Sequence, residues 1–152
     1  MPSTALALPP PLYEGDRLDA REFLDRWEAI PDLRHAELIN GVVFLGSPTG
    51  LDHGTIHYQV AGWLFAYSTQ TPGCEGGLDA TWVMGKESVS QPGLFLRILP
   101  EWGGQSRQTM DGRYAEGAPE LIVEVTGSSH SRDFGAKKEL YLAAGVREYL
   151  TI

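Results

Sequence analysis

The chain has 152 residues, 42% of them hydrophobic and 21% charged, the composition of one globular domain with a real core rather than of a disordered or fibrous chain. A single cysteine, Cys74, excludes an intrachain disulfide and a cysteine-rich zinc centre and fits a reducing compartment. A net charge of −8 and a pI near 4.9 argue against broad, non-specific nucleic-acid binding, which needs clustered Lys and Arg.

Residues 1–15, "MPSTALALPPPLYEG", have no basic n-region, and their apolar stretch runs into three prolines. They read as an extended Pro-rich arm rather than a secretory signal, ahead of a single domain over 16–152. No segment has the length of a membrane span, so the expected location is cytoplasmic. The first helix is expected in "LDAREFLDRWEAIPD", capped by Asp19, with Phe23, Trp27 and Ile30 on one face and Pro31 as the stop. "HAELINGVVFLG" reads as a hairpin turning at Asn40-Gly41. A second helix is expected from Leu51 or Asp52 to Tyr67, with a broad apolar stripe of Ile56, Val60, Trp63, Leu64 and Tyr67. "TPGCEGG" reads as a loop. "LDATWVM" and "GLFLRIL" read as strands joined by the polar "GKESVSQP", and residues 101–118 as a long glycine-rich loop. "PELIVEVT" has the continuous β-branched character of a central buried strand. A third helix is expected over 131–144, ended by Gly145, and "VREYLTI" is the last strand. This order predicts an α/β domain, a mixed β-sheet flanked by helices.

The chemistry concentrates in "ELIVEVTGSSHSRDFGAKKELY". Strand alternation puts Leu121, Val123 and Val125 on one face and Ile122 and Glu124 on the other, so Glu124 ends a central strand at the edge where α/β sheets hold ligands. On the next helix, one of Lys137 and Lys138 should lean toward the sheet and the other toward solvent. Two readings stay open: a site for phosphodiester chemistry, or a structural ion pair, for which Asp133 also offers Lys137 a partner four positions away. Glu37 sits just before the hairpin turn. His53 and His57 have a helical metal-ligand spacing but no third ligand beside them. Ser128, Ser129, His130 and Ser131 do not form a nucleophile elbow, and no phosphate-binding loop is present.

"AELINGVV", "SPTGLDHG", "QPGLFLRI" and "APELIVEVTGSS…RDFGAKKELYLAAGVREYL" together resemble the Uma family of restriction-endonuclease-like proteins, within the PD-(D/E)xK nuclease superfamily. The resemblance covers roughly residues 20 to 152 and is most specific in its last third. It implies a restriction-endonuclease-like fold and a site in which an Asp after a Pro and the Glu of the next strand hold a divalent ion while a lysine assists the attacking water. Mg²⁺ suits such a site because it takes few carboxylates and keeps several waters. Carried over by the resemblance, Glu124 is the metal-binding acid, Lys137 the lysine displaced onto the helix, Glu37 an early acid, and His53 and Tyr141 the accompanying histidine and tyrosine. One position departs from the pattern: Pro92 is followed by Gly93, so the principal aspartate is missing. Asp79, the nearest upstream acid, is expected opposite the far end of the second strand of its hairpin, too distant to substitute.

The resemblance thus implies a metal-dependent DNA endonuclease impaired at Gly93, or a family member that no longer cleaves and instead binds protein or nucleic acid. DNA is a possible partner that the acidic charge disfavours. A second copy is expected to pair with the edge strand at the C-terminus.

Overall fold

In the computed structural model, which describes residues 7–126 and 133–152 apart from the side chains of 133 and 134, the Asp19 carboxylate accepts the Glu22 N–H and starts the first helix, α1 (Ala20–Glu28). Phe23 on its inner face is fully buried and meets Trp27 ring to ring. Replacing Asp19 with alanine orphans that amide and is expected to lower unfolding stability by about 1 kcal/mol in a urea titration. A shift indistinguishable from zero would show that the cap does not hold the helix.

The hairpin follows as read. Strands β1 (Ala36–Ile39) and β2 (Val42–Leu45) pair antiparallel around Asn40 and Gly41, whose φ values of 50° and 79° are those of a type I′ turn. The segment before α1 is fastened to this hairpin. Leu12 is buried with Phe23 and Val43, Glu14 accepts the Leu45 N–H, and the Gly15 N–H donates to the Val43 carbonyl. Residues 1–6 of the expected arm lie outside the described residues.

Helix α2 (Leu51–Thr69) buries Val60 and Leu64, but Trp63 and Tyr67 remain 58% and 54% exposed. The buried stripe is narrower than expected because α2 packs against one sheet face only, formed by β3 (Cys74–Leu78) and, later in the chain, Leu94 and Leu96.

β3 corrects the reading of "TPGCEGG" as a loop. Its glycines sit where side chains from the next strand crowd in: a Cβ on Gly76 would lie 2.9 Å from Leu96, and one on Gly77 2.6 Å from the Phe95 ring. Glycine here permits close strand packing. "LDATWVM" is not one strand either. Leu78 ends β3, Asp79 turns with φ of 47°, and β4 (Trp82–Val83) belongs to another sheet. The polar connector "GKESVSQP" contains the buried β5 (Val89–Ser90), after which β6 (Leu94–Ile98) returns to pair with β3. The long loop over 101–118 is built around a 3-10 turn, Pro100–Trp102, and two short strands, β7 (Arg107–Gln108) and β8 (Ala115–Glu116). β9 (Leu121–Glu124), helix α3 (Asp133–Ala144) and β10 (Glu148–Thr151) complete the chain, with Gly145 at φ 95° ending α3.

The expected α/β architecture of a mixed sheet flanked by helices holds, and among the described residues the strands divide into two mixed sheets with three helices around them. One runs β2-β1-β5-β4-β8-β7 and the other β10-β9-β6-β3. The chain changes sheet at Asp79 and again between Ser90 and Leu94, so Pro92-Gly93 is a crossing point. β9 is interior and pairs antiparallel with β6 and parallel with β10. Alternation along β9 acts as read. Val123 and Val125 pack with Val60 and Leu64 of α2, while Ile122 packs with Leu140 and Tyr141 of α3 and with Ile39 of the other sheet.

Candidate active site

Ile122 and Glu124 point to the same side of β9, and Lys137 and Tyr141, one turn apart on α3, point back at them. Lys138 is exposed. The Lys137 Nζ lies 2.9 Å from Glu37 Oε2 and 3.2 Å from Glu124 Oε1, and the Tyr141 hydroxyl donates to Glu124 Oε1 at 2.9 Å. Glu37, only 5% exposed on β1, has its other oxygen filled by the Ser90 hydroxyl at 2.8 Å and the Gln91 N–H at 2.9 Å. Ser90 and Tyr141 oxygens are themselves 2.9 Å apart. Three contacts therefore share two hydroxyl protons. When Tyr141 gives its proton to Glu124 and Ser90 gives its own to Glu37, nothing remains for the Ser90–Tyr141 approach.

Glu37, Glu124, Lys137 and Tyr141 are thus one cluster. Gly93 adjoins it: its N–H donates to Glu124 Oε2 at 3.3 Å, and its carbonyl lies 2.9 Å from His57 Nε2. His53 does not take the place the resemblance gave it. It stacks edgewise on His57 at 6.0 Å between ring centres, and His57, one turn further along α2, is the histidine in contact with position 93. The i, i+4 spacing signalled the pair, but not which member faced inward. Ser90 and Gln91 were not singled out at all, because a two-residue strand has no periodicity to read. Asp79 is placed differently from the expectation. The register Leu78↔Leu94 sets it at the near end of β6, with its N–H on the Gly93 carbonyl at 3.3 Å, yet its side chain is exposed. The Asp133 side chain, and Ser128 to Ser131 with His130, lie outside the described residues.

Burial by itself lowers the affinity of the Lys137 ammonium for its proton, but Glu37 and Glu124 more than reverse this and its pKa is raised. Its two carboxylate partners hold Lys137 as a cation. Burial and the same two carboxylates push the Tyr141 hydroxyl well above 10, and Tyr149, half-buried and near Glu124, is pushed up to about 12. For groups whose folded pKa exceeds the unfolded one, the stabilisation is complete below the unfolded value and is lost as pH rises through the folded value. Unfolding free energy is therefore expected to hold up to about pH 10, where free tyrosine and then lysine begin to titrate, and to fall above it. Urea midpoints across alkaline pH test this, and Tyr141→Phe should flatten the fall. An unchanged slope in that variant would remove Tyr141 from the account.

A Mg²⁺ centre of the kind the resemblance implies needs carboxylates converging on one point with room for water. Glu124 Oε1 is occupied by Lys137 and Tyr141, Glu37 is saturated, and residue 93 offers no side chain. Among the described residues no three His, Cys, Asp or Glu side chains are grouped to hold a metal ion. The donor set does not fit the ion: an ammonium sits between the two carboxylates instead. The space for a further acid is nonetheless present. A Cβ on Gly93 would be 3.4 Å from Glu124 Oε2, 3.5 Å from the Val123 carbonyl and 3.6 Å from His57 Nε2, all ordinary contacts.

The chain belongs to the Uma2 family, described as "Putative restriction endonuclease", whose model matches residues 20–152. No curated protein matches it. Among solved structures it is similar to the crystal structure of "a putative nuclease belonging to DUF820" from Anabaena variabilis ATCC 29413, with TM-score 0.64 and 18% identity over 84% of this chain and 72% of that one. At that identity the likeness is one of fold. No described helix is long and apolar enough to cross a membrane.

Proposed function

We propose that this chain is a nuclease-fold protein whose phosphodiester-cleavage centre is dismantled at residue 93, and that it works as a binding module for protein or nucleic acid rather than as an efficient endonuclease. The observation that carries this reading is the Lys137 ammonium, held by both Glu37 and Glu124 beside a glycine where the second metal-binding acid belongs. A cation already balances the carboxylates, so a divalent ion has to displace it with one free ligand oxygen too few. Of its two kinds of partner, the acidic net charge of −8 favours protein, since tight binding along DNA needs a basic surface.

Calorimetric titration with Mg²⁺ and Mn²⁺, together with a plasmid-cleavage assay, tests it. The expected result is no saturable site at micromolar metal and no cleavage. Gly93→Asp is expected to tighten metal binding at least about tenfold, the value of a single good additional charged ligand interaction of about 1.4 kcal/mol. Stoichiometric micromolar binding by the unaltered chain would overturn the proposal. A second reading, a weak Mg²⁺-dependent DNA endonuclease, is favoured by the retained Glu124, Lys137 and Tyr141. It predicts slow plasmid cleavage that disappears in Lys137→Ala.

A further inference from the structure

Helix α2 carries one carboxylate, Asp52, and no Lys or Arg. Its inner arc packs through Val60 and Leu64 on the four-stranded sheet. The opposite arc presents Leu51, Tyr58 and Phe65, which are 85%, 81% and 70% exposed and are spaced by seven residues each. Seven is the interval at which apolar side chains line one seam of a helix and meet a neighbouring helix. The residues between them on that arc are Gly54, Thr55, Gly62 and Ala66, and a Cβ at Gly54 or Gly62 would meet nothing within 4 Å. Glycine inside a solvent-facing helix is less favourable than alanine. No contact among the described residues accounts for either glycine, whereas an axis crossing over them gains from the close approach they allow.

We infer that this face of α2 is a homodimer interface, in which two copies pack antiparallel about a two-fold axis at Tyr58. Tyr58 lies midway between Leu51 and Phe65. Two antiparallel copies therefore bring Tyr58 against its mate and Leu51 of each against Phe65 of the other, the self-complementarity that a two-fold interface requires. The charge pattern selects a second copy over other occupants. A face without Lys or Arg has nothing to attract phosphates of DNA or of an acidic membrane. In the antiparallel pair the two Asp52 residues fall about twelve positions apart along the axis, roughly 18 Å, which is beyond the screening length of about 8–10 Å. Two acidic chains can thus meet here without opposed charges. The three large side chains supply roughly 400 Å² per copy at the usual area of buried aromatic and aliphatic groups. With Gln59 and the bare backbone at the glycines, the pair approaches the roughly 600 Å² per copy at the lower end of specific interfaces.

Sedimentation velocity and light scattering of the full chain at micromolar concentration test the inference. The expected mass is twice 16.7 kDa. Tyr58→Glu and Phe65→Glu should each give a monomer with an unchanged circular-dichroism spectrum. Independently of those variants, Tyr58→Cys in a Cys74→Ser background should form a covalent dimer on mild oxidation. Leu51→Cys in that background should not couple to itself but should couple to Phe65→Cys. A chain that stays monomeric overturns the inference, including one that binds lipid vesicles or DNA through this helix. So does a dimer that survives both glutamate substitutions, as one built on the outer strand β10 would, or a dimer in which Tyr58→Cys fails to couple.

Discussion

Lys137→Met is expected to destabilise the fold by about 3 kcal/mol, the cost of leaving buried carboxylates without their cation. In a domain of this size that lowers the melting temperature by about 6–12 °C. The geometry sets the scale. Lys137 and Glu124 side chains are each 15% exposed and Glu37 is 6% exposed, so water cannot take over the charge that Lys137 neutralises. Methionine fills the same space, which separates the electrostatic loss from a packing loss. The triple variant Glu37→Gln, Glu124→Gln, Lys137→Met removes all three charges and keeps the shapes, and should recover most of the stability. Thermal melts of the two variants decide the matter. Equal destabilisation in both would mean that shape, not charge, holds the cluster together.

Gly93→Asp should make stability depend on divalent metal. The backbone at 93 is outside the left-handed region, so aspartate brings no torsional strain. Its carboxylate would enter beside Glu124 Oε2 and the Val123 carbonyl, an environment of oxygens. Without metal, two neighbouring carboxylates at this partly screened site cost about 2 kcal/mol. With Mg²⁺ at a hundred times its dissociation constant, binding to the folded state returns about 2.7 kcal/mol. The melting temperature of the variant should therefore start below that of the unaltered chain and rise steeply with Mg²⁺, while that of the unaltered chain stays flat. A variant destabilised equally with and without Mg²⁺ would show that Gly93 does not mark the position of the missing acid.

Part of this centre was legible from local rules and part only through the family resemblance. Alternation along "ELIVEV" put Glu124 opposite Val123, whereas helical spacing left Lys137 and Lys138 undecided and the resemblance singled out Lys137, Tyr141 and Glu37. The Asp19 cap and the Asn40-Gly41 turn were equally local. What was not legible depends on register between distant segments. That Ser90 and Gln91 would close on Glu37 follows from β5 pairing with β1, a contact spanning some fifty residues that no short pattern announces. The second sheet was missed for a related reason. The chain leaves one sheet for the other at Asp79, a non-glycine residue with positive φ, inside the segment "LDATWVM" that read as one strand.

Glu37 and Ser90 come from the six-stranded sheet and Glu124 from the four-stranded one, with Lys137 and Tyr141 reaching across from α3. The cluster is therefore a latch that closes where the two sheets and α3 meet. Contacts spanning 51 to 54 residues form late on a folding route, because the loops they close must be ordered first. The Gln91 amide proton, held by Glu37 within the six-stranded sheet, becomes a timekeeper: its exchange with solvent reports how often β5 parts from β1.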